Sequence, residues 1–424
     1  MNSKTKSAAS EDSGNSISTP KLRFPEFQEA EGWKETPLQK LARPVTDRAT
    51  TADGDSVLSL SGEHGLVLQS DYFGKKIAGD STERYLKIRR NDFVYNDRTT
   101  KASTFGTIKR LSSHPGGIVS PIYKCFRFQS GENAIFWEWY FESGSHDPAL
   151  GGLVNEGARA GRFNISVTQF LSTTAWRPGE REQQKIADCL ASVNTLIEAQ
   201  RRKVEALKAQ KKGLMQQLFV QEGEIQPRLR FPEFRDAGEW EERKLSTLIN
   251  LVSGVHLAPE DYSSTGEVPY FTGPSDFTNE LSDVTKWTGT TSSVAMEGDI
   301  LITVKGSGVG EVWFSSLPKV AMGRQLMAVR PKDGQSHFIF QFLLTKKKRF
   351  EILGSGNLIP GISRGDILDL RAFFPKLPEQ QRIADFLTSL DDLIAAETGK
   401  LDALKTHKKG LMQRLFPSVE EPDA

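Results

Sequence analysis

The sequence predicts an α+β protein: two mixed α/β domains separated by an antiparallel two-helix coiled coil, with a pseudo-twofold internal repeat. Three observations predict it. First, a long helical tract occurs twice, about 200 residues apart. REQQKIADCLASVNTLIEAQRRKVEALKAQKKGLMQQLF (181–219) and PEQQRIADFLTSLDDLIAAETGKLDALKTHKKGLMQRLF (378–416) agree at roughly 23 of 39 positions without a gap, and self-similarity on this scale constrains architecture more than local propensity does. Second, a shorter tract opens each half. Lys21-Leu22-Arg23-Phe24-Pro25-Glu26-Phe27 returns as Arg228-Leu229-Arg230-Phe231-Pro232-Glu233-Phe234, Trp33 as Trp240, and Leu38 and Leu41 as Leu245 and Leu248. Third, the intervening regions, about 42–164 and 249–361, share no comparable run and are rich in strand-like segments. The order is constant, variable, constant, twice.

The expected boundaries follow from these markers: a disordered tail at 1–20, a first domain at 21–177, a first spacer helix at 178–220, a linker and second domain at 221–374, a second spacer helix at 375–417 and a tail at 418–424. The first 20 residues are Ser-rich and lack the apolar core of a signal peptide. No apolar run approaches the roughly 18–20 residues of a membrane helix. Cys125 and Cys189 are the only cysteines. Without an export signal, two free thiols fit a reducing, cytoplasmic setting. With 55 Lys and Arg against 54 Asp and Glu the net charge is +1. That argues against nonspecific polyanion binding but leaves room for a local basic patch. Arg201-Arg202-Lys203, Lys211-Lys212, Lys346-Lys347-Lys348-Arg349 and Lys408-Lys409 are each most simply a solvated helix face.

Within the long repeats the apolar residues form a heptad seam. The first copy places Ile186, Leu190, Val193, Ile197, Val204, Leu207, Leu214 and Leu218 on it; the second places Ile383, Leu387, Leu390, Ile394, Leu401, Leu404, Leu411 and Leu415. Both seams break at matching polar positions, where Gln200 aligns with Glu397 and Lys211 with Lys408. Polar seam residues cost stability and are used to fix register. Pro178 precedes the first helix, Pro375 and Pro378 the second, and Glu182 and Glu379 lie in the first turns, as helix starts require. Gly213 and Gly410 interrupt both helices alike. Each costs roughly 1 kcal/mol against Ala, which suggests the close approach of another backbone; an inherited neutral feature is the alternative. The natural partner of one seam is the other, giving two heads on a rod of roughly 60 Å. Separate packing of each helix on its own domain is the alternative.

The heads read as strands and loops. Ser56–Leu60, Asp92–Tyr95, Gly117–Phe128, Asp299–Val304 and Gln325–Val329 are strand-like. The aromatic tracts Phe136–Phe141 and Phe338–Leu344 suit a helix packed on each sheet, with the rings in the core. Gly-rich loops carry side chains able to read DNA, because Arg pairs bidentately with guanine and Asn or Gln with adenine. They nominate Arg98, Lys101, Arg159, Arg162 and Asn164 in the first domain, and Lys305, Ser307, Arg324, Gln325, Asn357 and Arg364 in the second. The alternative for each is a phosphate contact or a solvated loop. No phosphate-binding loop, HExxH, zinc-spaced Cys set, GxSxG elbow or Asn/Asp-Pro-Pro motif is present. Gly306-Ser307-Gly308-Val309-Gly310 lacks dinucleotide-fold spacing and runs into a strand-like segment. The chain therefore reads as a binding or assembly module, with no catalytic residues and no metal ligands.

The E-Q-Q-[KR]-I-A-D-x-L opening, the K-K-G-L-M-Q-x-L-F close and the R-F-P-E-F entry, in tandem over about 21–417, resemble the specificity subunit of type I restriction-modification systems. The resemblance implies two target recognition domains, each reading one half of a split site in double-stranded DNA, with the helix pair setting the spacing. It implies a non-catalytic chain that docks two methyltransferase (modification) subunits and the restriction (endonuclease and translocase) subunits. Those partners, not this chain, would bind S-adenosylmethionine, ATP and magnesium. A stand-alone sequence-specific DNA-binding or scaffold protein is one alternative; an enzyme, a nuclease or methyltransferase acting through residues outside these motifs, is a second.

Overall fold

The computed structural model describes residues 16–50, 53, 56–73, 82–100, 103–153, 163–332, 335–355 and 361–417. The chain divides into two compact units, Met1–Ala199 with Leu401–Ala424, and Gln200–Lys400. The first half runs β1 (Ile17–Ser18), β2 (Trp33–Pro37), β3 (Ala42–Pro44), β4 (Val57–Ser61), β5 (Gly65–Leu68), α1 (Gln69–Phe73), β6 (Leu86–Arg89), β7 (Phe93–Asn96), β8 (Thr107–Arg110), β9 (Gly116–Val119), β10 (Lys124–Phe128), α2 (Ala134–Glu142), α3 (Asp147–Gly151), α4 (Val167–Ser172), β11 (Thr174–Arg177) and the long α5 (Glu180–Leu218). The second runs β12 (Glu241–Lys244), β13 (Ile249–Ser253), β14 (Val268–Phe271), β15 (Trp287–Thr288), β16 (Val294–Met296), β17 (Ile300–Thr303), β18 (Val312–Phe314), β19 (Lys319–Met322), β20 (Leu326–Pro331), α6 (Ser336–Ser355), α7 (Arg364–Leu368), β21 (Arg371–Phe374) and the long α8 (Leu377–Leu415).

The two heads share one topology although their sequences share no run. In the first, one sheet has the order β3-β10-β7-β8 and a second β5-β4-β9-β6; in the second head the orders are β13-β20-β17-β18 and β15-β14-β19-β16. In both, the second sheet holds one parallel pair, β4 with β9 and β14 with β19, among antiparallel neighbours. The middle strands β7 and β17 are buried on both faces, because alternate residues point to opposite sides. Phe93 and Tyr95 face the aromatic helix α2, while Val94 faces the second sheet. Ile300 and Ile302 face α6, while Leu301 faces the second sheet. A buried carboxylate pins each frame. Asp92 takes two bonds from Arg127 at 2.6 and 2.7 Å, and Asp299 takes 2.9 and 2.7 Å bonds from Arg330. The aromatic tract of α2 is core, with Phe136 and Trp137 fully buried.

The long helices pair antiparallel, as contacts inside each unit establish. In the first unit, Ile186, Ala187 and Leu190 near the start of α5 share a core with Leu415 and Phe416 at the end of α8. In the second, Leu218 and Phe219 at the end of α5 share a core with Ile383, Ala384 and Leu387 near the start of α8. All sixteen apolar seam residues are at least partly buried. The polar seam positions pair. Gln200 donates to the Glu397 carboxylate at 2.7 Å and to its backbone carbonyl at 2.9 Å. Lys211 reaches Asp391 at 2.6 Å, and the repeat-related Lys408 reaches Asn194 at 3.2 Å. The Gln200 bond, backed by Lys400 and Lys203, holds the Glu397 carboxyl down at about 2.

The short conserved tract is a mount for its head. Arg23 grips Glu182 through two 2.7 Å bonds, and Arg230 grips Glu379 likewise. Trp33 and Trp240 donate to the same carboxylates at 3.2 and 3.3 Å. Lys185 lies over the Phe24 ring and pairs with Glu26; Arg382 lies over Phe231 and pairs with Glu233. Gln183 and Gln380 donate to the carbonyls of Pro178 and Pro375 ahead of each helix. Glu182 and Glu379 thus do more than mark helix starts.

Two expectations are corrected. The N-terminal tail is ordered earlier than residue 21, because Ile17–Ser18 adds a strand against Trp33 and Lys34 and Pro20 is buried; a Ser-rich composition missed a backbone that pairs through its amides. Gly213 and Gly410 do not mark close backbone approach, since a Cβ at either would meet nothing within 4 Å. The tail at 418–424 lies outside the described residues.

Candidate nucleic-acid interface

In the first head, Arg98 follows β7 and is exposed. It borders an open groove of about 740 Å³ with Thr100, Thr104, Thr107, Lys109 and Glu142. Buried Asp97 gathers the neighbouring loops. It accepts from Lys124 at 2.6 Å and from the backbone amide of Ile165 at 3.2 Å, and its carbonyl accepts from the amide of Phe163 at 3.2 Å. Asn164, between those two amides, is exposed in the left-handed region at φ 56. Arg98 and Asn164 are thereby brought to one loop cluster. Lys101, Arg159 and Arg162 lie outside the described residues, as does Asn357 of the second head.

In the second head, Lys305 follows β17 and is exposed, as are Ser307, Arg324 and Gln325. Their loops converge. The amide of Val304 donates to the carbonyl of Gln325 at 2.8 Å, and the amide of Ile362 to the carbonyl of Val304 at 2.9 Å. Glycines permit the approach. A Cβ on Gly308 would lie 2.6 Å from Pro274, and one on Gly254 would lie 2.1 Å from the Gly323 carbonyl oxygen. The Pro274 turn is latched by Asp276, which binds the Thr272 amide and hydroxyl at 2.7 and 2.6 Å and Lys286 at 3.1 Å. Arg364 is placed differently. Its guanidinium donates to Ser253 Oγ at 2.8 Å and to the Leu251 carbonyl at 3.1 Å, tying α7 to β13. The side chains of Arg98, Asn164, Lys305, Ser307, Arg324 and Gln325 have no hydrogen-bond partner among the described residues.

The described residues of these clusters offer cations, amides and hydroxyls, and the Glu142 carboxylate at the first groove is held by Lys109 at 2.7 Å. Among the described residues no group of His, Cys, Asp and Glu could hold a metal ion, and no helix is long and apolar enough to cross a membrane. Of the basic clusters, the Lys408 ammonium lies 4.1 Å from the centre of the Trp139 ring, and burial holds its pKa down; burial lowers Lys346 likewise, over Phe342. Sequence reasoning missed exposed Ile122 and the Pro274 turn. Pro121, inside an apparently continuous strand, was the available signal for the first.

Each half thus carries a head of the same topology, with its own loop chemistry, next to a long helix of the repeat. Residues 237–406 match the model of the type I restriction modification DNA specificity domain. A putative type I restriction enzyme MjaX specificity subunit of Methanocaldococcus jannaschii is 28% identical over 259 residues, 60% of each chain. The EcoDI specificity subunit of Escherichia coli is 24% identical over 178 residues, 42% of this chain and 37% of the relative. The chain thus spans about 60% or less of the length of the curated relatives it matches. In fold it is similar to the S subunit from M. genitalium, with TM-score 0.58 and 15% identity over 95% of this chain and all of that one. It is also similar to a chain of a solved type I system, with TM-score 0.55 and 20% identity over 91% of this chain and 98% of that one.

Proposed function

We propose that this chain gives a type I restriction-modification complex its DNA sequence specificity. Each head reads one half of a bipartite site in double-stranded DNA, and the helix pair sets the spacing between the halves. One observation carries the reading most: two heads of identical topology present unlike sets of cationic and amide side chains that have no partner among the described residues. A common frame with exchanged reading groups suits an asymmetric two-part site.

The chain turns over nothing itself. Two modification subunits bind S-adenosylmethionine and methylate adenines, and restriction subunits hydrolyse ATP with magnesium. The duplicated helices offer two equivalent docking surfaces for two equivalent subunits. The complex works in the cytoplasm, where its DNA is. The test is to express the chain with its modification subunits and map methylated adenines genome-wide, with and without this gene. A split motif that vanishes with the gene supports the reading. Methyl transfer by the purified chain alone, or a stable lone chain that binds a specific site and captures no modification subunit, overturns it.

A further inference from the structure

The shared topology allows one position to be matched between heads that have no alignable sequence. Each frame has a fixed origin, the Asp92–Arg127 pair in one and the Asp299–Arg330 pair in the other. Six residues after the Asp stand Arg98 and Lys305; five before the Arg stand Ile122 and Gln325. The strand register agrees, with Tyr95 opposite Lys124 and Ile302 opposite Met327. So does the local backbone. Ser120–Tyr123 closes a turn with a 3.1 Å bond from the Tyr123 amide to the Ser120 carbonyl, and Gly323–Leu326 closes the same turn at 2.9 Å. Ile122 and Gln325 are the third residues of these equivalent turns.

Both side chains are exposed, Ile122 to 46%. In the second head, Gly273 and Gly306 flank the Gln325 amide. Their Cβ atoms, if present, would lie 3.4 and 3.6 Å from its Oε1, and neither glycine carries a side chain to cover it. Each position has a cation in the neighbouring loop, Arg98 or Lys305, whose side chain has no partner among the described residues. A lone exposed isoleucine needs no explanation by itself. An isoleucine and a glutamine at one structural position, each beside a cation in a DNA-reading protein, do. In the major groove the amide of Gln pairs bidentately with adenine N6 and N7, and the one apolar group on offer is the thymine methyl.

We propose that this turn position is a base-reading position in both heads: Gln325 reads adenine in one half-site, and Ile122 packs on a thymine methyl in the other. The proposal rests on the specificity-subunit reading. The test uses the full chain with its modification subunits and a duplex pool in which each position of the mapped site is randomised. I122Q moves one position of one half-site from thymine toward adenine, by on the order of 10- to 100-fold, and leaves the other half-site unchanged. Q325I does the reverse in the other half-site, and I122T, which keeps a methyl, keeps thymine. Unchanged preference at every position, or an equal loss on all sequences, overturns the proposal. A wild-type complex with no sequence preference would instead overturn the subunit reading, and this proposal with it.

Discussion

Replacing Arg23 by Met tests whether the mount holds the first head to its helix. The Arg23 and Glu182 side chains are 6% and 3% exposed. The pair makes two direct bonds, and Arg23 also donates to the carbonyls of Ala30 and Glu31 at 2.8 and 2.9 Å. Removing the guanidinium leaves a buried carboxylate whose remaining side-chain donor among the described residues is the Trp33 indole, which costs about 3–5 kcal/mol. That is a large share of the roughly 5–15 kcal/mol that holds an ordinary domain together. Removing both charges, with Arg23→Met and Glu182→Leu, restores most of the loss, because no uncompensated charge stays buried. The second mount is wetter at its Arg230 end, 16% exposed, so Arg230→Met costs less. Urea unfolding combined with hydrogen exchange on peptides covering 182–190 isolates the effect, since a chain of two units has no single unfolding free energy. A loss below about 1 kcal/mol, the range of surface ion pairs, or a double variant as weak as the single one, would refute the reasoning.

Further outcomes are expected. Gly213→Ala and Gly410→Ala each raise stability by up to about 1 kcal/mol in thermal unfolding, because the added methyl meets nothing. His146 is fully buried and burial lowers its pKa from 6.5 to about 3. The unfolded chain therefore binds the proton first, and stability, full above 6.5, falls as pH drops toward 3. Unfolding between pH 7 and 5 shows that slope in the wild type and less of it in His146→Asn, measured relative to each protein at pH 7. Burial pushes the Cys125 thiol up to about 12, so iodoacetamide labels the half-buried Cys189 first; equal rates would contradict the packing around β10.

The helices were legible because both copies keep the same constraint. Most apolar seam residues are identical in the two copies, and each EQQ-tract side chain keeps its partner: Glu182 with Arg23 and Glu379 with Arg230, Gln183 with the Pro178 carbonyl and Gln380 with that of Pro375, Gln184 with Asp188 and Gln381 with Asp385. The heads were legible only as composition. Their common frame depends on backbone pairing and on two Asp–Arg pairs, which local pattern cannot distinguish from surface charge. Ile122 was hidden inside the run Gly117–Phe128, which the structure breaks into β9, a turn and β10. Arg364 looked like a reading group by its loop and its chemistry. Its partners, over 100 residues away at Leu251 and Ser253, exist only after folding.

The place of Phe416 bears on how the chain is made. Its ring packs against Trp33, Phe136 and Tyr140 at 6.1, 5.6 and 6.0 Å, and the Arg414 carbonyl takes the Leu22 amide at 2.8 Å. The first head is therefore missing part of its core until the ribosome has passed residue 416. The second unit is one unbroken stretch, Gln200–Lys400, and its residues are all available sooner. Synthesis order and folding order run opposite ways here: the half made first is completed last, and until then Trp33 and α2 lack their cover.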